Sequence, residues 1–231
     1  MNIGGFIPTS TIDFPGRLAA VIFTQGCPWR CHYCHNPILA LGQVESPHDW
    51  EGVKAMLEQR KALLDGVVIS GGEPLIQKDL VEVLKQIKGM GFEAALHTGG
   101  AMVNRFKETL PYLDWVGYDI KAEQLAYVSI TQVEDSGVAA FSSLQVLLDS
   151  GVDYEVRTTV HWGLMSREEL LSLSETLADL GVKNYVVQIA RDGGTLSKEL
   201  LAHNGSASEF EAGPLAEINA MFEKFSVRPA G

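Results

Sequence analysis

Cys27, Cys31 and Cys34 are the chain's only cysteines, and all three fall within the stretch FTQGCPWRCHYCHNP at 23–37. Three thiolates spaced in this way on one loop can converge on one metal centre, and cysteine sulfur selects soft or borderline centres such as zinc or an iron–sulfur cluster. A structural zinc wants a closed shell of four ligands, which His32 or His35 would have to complete. Small zinc modules usually supply ligands in two separated pairs, whereas here every candidate sits on one loop. A cubane cluster on the same three thiols would instead leave one iron without a protein ligand, open to a substrate or cofactor.

Other residues with chemical potential lie further along. Ser70-Gly71-Gly72-Glu73-Pro74 places two glycines where a backbone can approach a ligand closely. In Asp119-Ile120-Lys121 the lysine offers a point charge to a carboxylate, and Arg157, set in an apolar run, offers a bidentate fork. Asp13-Phe14-Pro15-Gly16-Arg17 has the composition of a turn.

These groups are punctuated by apolar, β-branched runs at 18–23, 66–70, 92–97, 115–120, 154–160 and 185–190. Between them, helical periodicity predicts helices at about 49–63, 77–89, 101–109, 137–150 and 166–180, several ending at glycine. Ser166-Arg167-Glu168-Glu169 has the form of a capped helix start. Strand–helix alternation predicts an α/β fold. In parallel barrels and open sheets the loops at the carboxyl ends of the strands converge on one face, and every chemical candidate except the turn at 13–17 follows or ends an apolar run or, as Arg157 does, lies within one. One domain over 1–231 is expected, with a core at about 18–190 and a C-terminal extension, 191–231, packed on it and holding one more helix near 214–225.

The chain has 231 residues, 46% of them hydrophobic, enough for a sizeable core. Its 29 acidic against 18 basic residues give a net charge of -11, which argues against a surface for nucleic acid or anionic lipid. No run approaches a membrane span, and the N-terminus lacks a secretory signal. A cytoplasmic protein is expected, and thiols there point to metal or catalysis rather than disulfides.

Cys27-x3-Cys31-x-Tyr33-Cys34 resembles the signature of the radical S-adenosylmethionine enzymes, and Ser70-Gly71-Gly72-Glu73-Pro74 resembles their Gly-Gly-Glu motif. With TIDFPGR upstream, QGCPWRCHYCHNP is similar to the glycyl-radical-enzyme activases, first those serving anaerobic ribonucleoside-triphosphate reductase and next those serving pyruvate formate-lyase. The resemblance implies a partial (β/α)6 TIM-like barrel with short N- and C-terminal extensions. It implies a [4Fe–4S] cluster on Cys27, Cys31 and Cys34, with S-adenosylmethionine chelating the open iron and supplying the radical chemistry. Tyr33, His35, Gly71, Gly72, Glu73, Asp119, Lys121 and Arg157 become candidate cofactor contacts, and Asp13 a candidate contact to the target's glycyl loop. The implied partners are a glycyl radical enzyme, anaerobic ribonucleotide reductase in particular, and flavodoxin or ferredoxin as electron donor.

Two departures stand out. His97-Thr98 occupies the place of an Asp-Thr pair that contributes to a cation site in the pyruvate formate-lyase activase, so His97 is expected to be a neutral, hydrogen-bonded core histidine. Gln188 and Arg191 stand near the position of a cofactor-contacting histidine. Two other readings compete: a radical enzyme acting on a small molecule, and a zinc-stabilised binding protein.

Overall fold

The computed structural model of the chain describes residues 1–190 and 213–228. Six parallel strands lie where the apolar runs predicted them: β2 (Ala19–Thr24), β3 (Gly66–Gly71), β4 (Glu93–Thr98), β5 (Trp115–Asp119), β6 (Asp153–Val160) and β7 (Asn184–Ile189). Two strands flank this set and were not anticipated. At one edge β1 (Ile3–Ser10) pairs antiparallel with β2, and at the other β8 (Lys224–Arg228) pairs parallel with β7. Among the described residues the sheet thus runs in chain order through eight strands, with β1 and β8 at its edges, an open relative of the expected six-stranded partial barrel.

Helices follow the strands as expected, with ends within five residues of the expected ones: α2 (Trp50–Glu58), α3 (Leu80–Gly89), α4 (Val103–Thr109), α6 (Ser136–Leu148) and α7 (Arg167–Asp179), joined by the short α1 (Pro37–Ala40) and α5 (Tyr127–Thr131). The expected cap of α7 forms: the Ser166 hydroxyl accepts from the Glu169 N–H, and the Ser166 N–H donates to the Glu169 carboxylate. The helix expected near 214–225 is shorter, α8 (Gly213–Asn219), because the chain turns into β8 instead. Phe222 and Phe225 cover Tyr185 of β7, with ring centroids 4.8 and 6.0 Å away, and this apolar contact favours the strand. None of the helices among the described residues is long and apolar enough to cross a membrane.

Strand alternation divides the two faces of the sheet. Ile22, Ile69, Leu96, Val116, Val156 and Val187 point outward into the main core under the helices. On the inner face, Ala19, Val21, Val68, Ala95 and Trp115 form a second, smaller core at the amino ends of the strands. Phe14, from the turn between β1 and β2, fills that layer and stacks on Trp115 at 5.8 Å. Toward the carboxyl ends of the strands the inner face turns polar: Ser70, His97, Asp119, Arg157 and Thr159 line a cleft. An apolar floor beneath polar strand ends sets up the site.

Candidate cofactor cleft

The cleft at the carboxyl ends of the strands holds a cavity of about 200 Å³ that opens to solvent. Cys27, Cys31, Cys34, Tyr33, His35, Gly71, Gly72, Glu73, Asp119, Lys121 and Arg157 all line it. These candidates come from four separate stretches of chain, and the sheet alone brings them together.

The cysteine loop is held at its start and middle. The Gly26 and Cys27 N–H groups donate to the carbonyls of Leu39 and Ala40 in α1. The Arg30 and His32 N–H groups donate to the Thr131 and Ile130 carbonyls of α5. Gln25, which is buried, uses its side-chain amide to bind Val44 in both directions and Ile3, while its carbonyl accepts from the Gln77 amide. These bonds fix the backbone of the loop before and between the first two cysteines. Burial pushes the Cys27 thiol up to about 12, with nearby Glu73 adding to the shift, and it raises Cys31 as well.

The Gly71-Gly72-Glu73 turn is stitched to the same loop. The Gly72 N–H donates to Thr24 O at 2.9 Å, and the Glu73 N–H donates to Gly26 O at 2.8 Å. A Cβ on Gly71, whose φ is +110°, would lie 2.4 Å from the backbone of Thr24, and one on Gly72 would lie 2.1 Å from Gly26 O. The close approach that these glycines make is therefore to the start of the cysteine loop. The Glu73 carboxylate is 2% exposed and accepts from the Thr98 hydroxyl at 2.6 Å and from the N–H groups of Gly99 and Leu75 at 3.1 Å each. Burial pushes that carboxyl above its usual range, although the three donors oppose the shift. Its acceptor capacity is directed into the protein, where it joins the ends of β3 and β4.

On β5 and β6, Asp119 and Arg157 are register partners, and the Arg157 Nε donates to Asp119 Oδ1 at 2.9 Å. Burial alone would raise the Asp119 carboxyl, but Arg157 and Lys121 hold it below the ordinary value. The Lys121 ammonium lies 5.9 Å from the Trp29 ring and 6.0 Å from the Tyr33 ring. Burial would lower its pKa, yet Cys31, Tyr33 and Asp119 together keep it well above the ordinary value.

His97 is half-buried, and its Nε2 lies 2.8 Å from the Asp13 carbonyl. Because a carbonyl only accepts, Nε2 carries the proton. Burial, and then Arg157, lower its pKa to about 3, so the ring is neutral, as expected from sequence. Asp13 itself is not part of the cleft lining: its backbone meets His97, and its carboxylate accepts from the Ser10 hydroxyl. Gln188 is half-buried on β7, and Arg191 lies outside the described residues.

Sequence reasoning passed over Trp29, which is 4% exposed and lines the cleft. Its ring fills the space a Gly99 side chain would need, with a Cβ there only 2.4 Å away, and packs edge-on against Tyr127. A tryptophan between two cysteines on a polar loop was the available signal.

Comparison with known proteins fits this geometry. The Radical SAM superfamily matches residues 21–194. A Methanocaldococcus jannaschii protein bearing the name of a glycyl-radical enzyme activating enzyme is 28% identical over 206 residues, 80% of this chain and 78% of that protein. The pyruvate formate-lyase-activating enzyme of Clostridium pasteurianum is 32% identical over 179 residues, 73% of each chain. Among solved structures, Streptococcus suis SuiB bound to its precursor peptide SuiA superposes with a TM-score of 0.66 at 14% identity over 91% of this chain, which spans about half (48%) of SuiB. A domain of pyruvate-formate lyase-activating enzyme from Bacteroides vulgatus superposes with a TM-score of 0.51 at 16% identity, over 70% of this chain and 98% of that domain. These matches overturn the zinc-stabilised binding protein as an alternative: the chain belongs to the radical SAM superfamily and, within it, to the glycyl-radical-enzyme activating enzymes.

Proposed function

We propose that this chain installs a glycyl radical on a partner enzyme, anaerobic ribonucleoside-triphosphate reductase, using a [4Fe–4S] cluster held by Cys27, Cys31 and Cys34. The observation that carries the reading is the single cleft shared by the three thiols, the Gly71-Gly72 turn and the Lys121 and Arg157 cations. When bound, the cluster and S-adenosylmethionine supply reductive cleavage to methionine and a 5′-deoxyadenosyl radical, which takes a hydrogen from a glycine α-carbon.

The residues present fit those groups. The donor set is all thiol, suited to iron and sulfide. The Tyr33 hydroxyl is buried in the cleft wall without a hydrogen-bond partner among the described residues, an orphan that a polar ligand would satisfy. Lys121 and Arg157 bring two cations to the same cleft for the carboxylate of S-adenosylmethionine, with Asp119 holding Arg157 in place. Gly71 and Gly72 keep their backbone close to the ligand while bracing the cysteine loop, and Glu73 fixes that turn from within. Tyr33 and His35 flank the adenine side. The floor built from Phe14 and Trp115 excludes water from below, where a primary radical would otherwise find other hydrogen donors. Asp13, on the turn that supplies Phe14, contacts the entering glycyl loop, and flavodoxin or ferredoxin supplies the electron.

A second reading, activation of a pyruvate formate-lyase type enzyme, is favoured by the names of the relatives just described. The test offers both targets to the reconstituted protein under anaerobic reduction. A glycyl radical signal on the reductase alone supports the first reading. A signal on the lyase alone replaces it with the second.

A further inference from the structure

Arg157 is set in the inner face of β6, but its guanidinium folds back along β5 toward Gly117. Its Nη2 donates to Gly117 O at 3.2 Å while its Nε holds Asp119. A Cβ on Gly117 would meet Nη1 at 2.7 Å, Cζ at 2.8 Å and Nη2 at 2.9 Å, so the fork lies directly over the bare α-carbon. Among the described residues nothing accepts from Nη1, which leaves that edge of the fork for a ligand. Glycine in the middle of a strand forfeits packing and costs stability relative to a side chain. Here the space it leaves is filled by the guanidinium.

We propose that Gly117 is the positioning residue for Arg157: its carbonyl and its missing side chain set the guanidinium at the height where it meets the carboxylate of S-adenosylmethionine. Any larger residue keeps the carbonyl but drives the fork off the strand, breaking its alignment with both Asp119 and the ligand. This rests on the reading of Arg157 as a carboxylate-binding cation, and it adds the residue that decides where that cation stands.

The test is a double-mutant cycle read by equilibrium dialysis of S-adenosylmethionine against the cluster-loaded protein, with iron and sulfide content measured alongside. Gly117→Ala should weaken binding about tenfold with cluster content unchanged, as expected for loss of one hydrogen bond to a charged group. Arg157→Gln should weaken binding comparably, and the double variant should bind no worse than Arg157→Gln alone. Binding within twofold of wild type in Gly117→Ala, with Arg157→Gln impaired, overturns the positioning role and leaves the Arg157 reading standing. Wild-type binding by Arg157→Gln removes the reading beneath it, and the proposal with it. If Gly117→Ala does not fold, recovery of a cooperative thermal transition on adding Arg157→Gln supports the clash. An equally unfolded double variant overturns it.

Discussion

Replacing Gly72 by alanine perturbs the junction on which the cleft depends. The new methyl carbon would stand 2.1 Å from Gly26 O, about 1.3 Å short of the 3.4 Å at which ordinary contact begins. The turn and the cysteine loop must separate by roughly that much, which breaks the 2.8 Å bond from the Glu73 N–H to Gly26 O. Leaving a buried polar group unpaired costs about 1–3 kcal/mol, and overpacking costs about 1–3 kcal/mol more. Together these amount to about 2–6 kcal/mol, a large part of the ~5–15 kcal/mol that holds a domain together. Cys27 follows Gly26 directly, so the displacement also reaches the first thiol. Anaerobic guanidinium denaturation of the cluster-free variant should show a lowered midpoint, and reconstitution should give fewer irons per chain. Formation of 5′-deoxyadenosine under dithionite should fall by about 100-fold, as expected when reacting groups shift by ~1 Å. A wild-type midpoint with cleavage within twofold of wild type would refute the claim that Gly72 exists to seat the cysteine loop.

Other expectations follow from single contacts. Tyr33→Phe removes the orphaned hydroxyl, and it should raise the KM for S-adenosylmethionine about fivefold, one hydrogen bond's worth, without changing iron content; an unchanged KM would mean that the hydroxyl meets no ligand. Because His97 is neutral in the fold while an unfolded histidine takes up a proton below pH ~6.5, stability should decline as pH falls through that value, at up to about 1.4 kcal/mol per pH unit. His97→Gln should lose that share of the slope, as measured by denaturation at pH 7.5 and 5.5; equal slopes would contradict the assignment. Gln25→Leu strands the N–H and carbonyl of Val44 and the carbonyl of Ile3, and should cost about 2–4 kcal/mol in the same denaturation assay.

The six parallel strands were legible because each is a short apolar run with both faces covered, the pattern that a buried parallel strand imposes. The edges were not. In β1, Gly4, Gly5 and Pro8 dilute the apolar signal, and as an antiparallel edge strand it need bury only part of its surface. β8 is hidden in a helical-looking tail, and what makes it a strand is tertiary: β7 beside it and Tyr185 between its aromatic neighbours. The site divides in the same way. Cysteine spacing and the Gly-Gly-Glu run are local signals and could be read directly. That Glu73 turns inward to Thr98, that Trp29 fills the space beside Gly99, and that Gly117 makes room for Arg157 are relations between strands. Along the chain their only traces are a tryptophan between two cysteines and, at Gly117, a glycine in a strand where packing would favour a side chain.

The central claim is that the cleft delivers a radical to a glycine of another protein. The direct measurement is electron paramagnetic resonance of a candidate glycyl radical enzyme after anaerobic incubation with the reconstituted protein, a reductant and S-adenosylmethionine. The account predicts a glycyl radical doublet on the target, its splitting collapsed when the glycine α-hydrogen is replaced by deuterium, and no signal with the Cys31→Ala variant. Formation of 5′-deoxyadenosine with no glycyl radical on either target would contradict it.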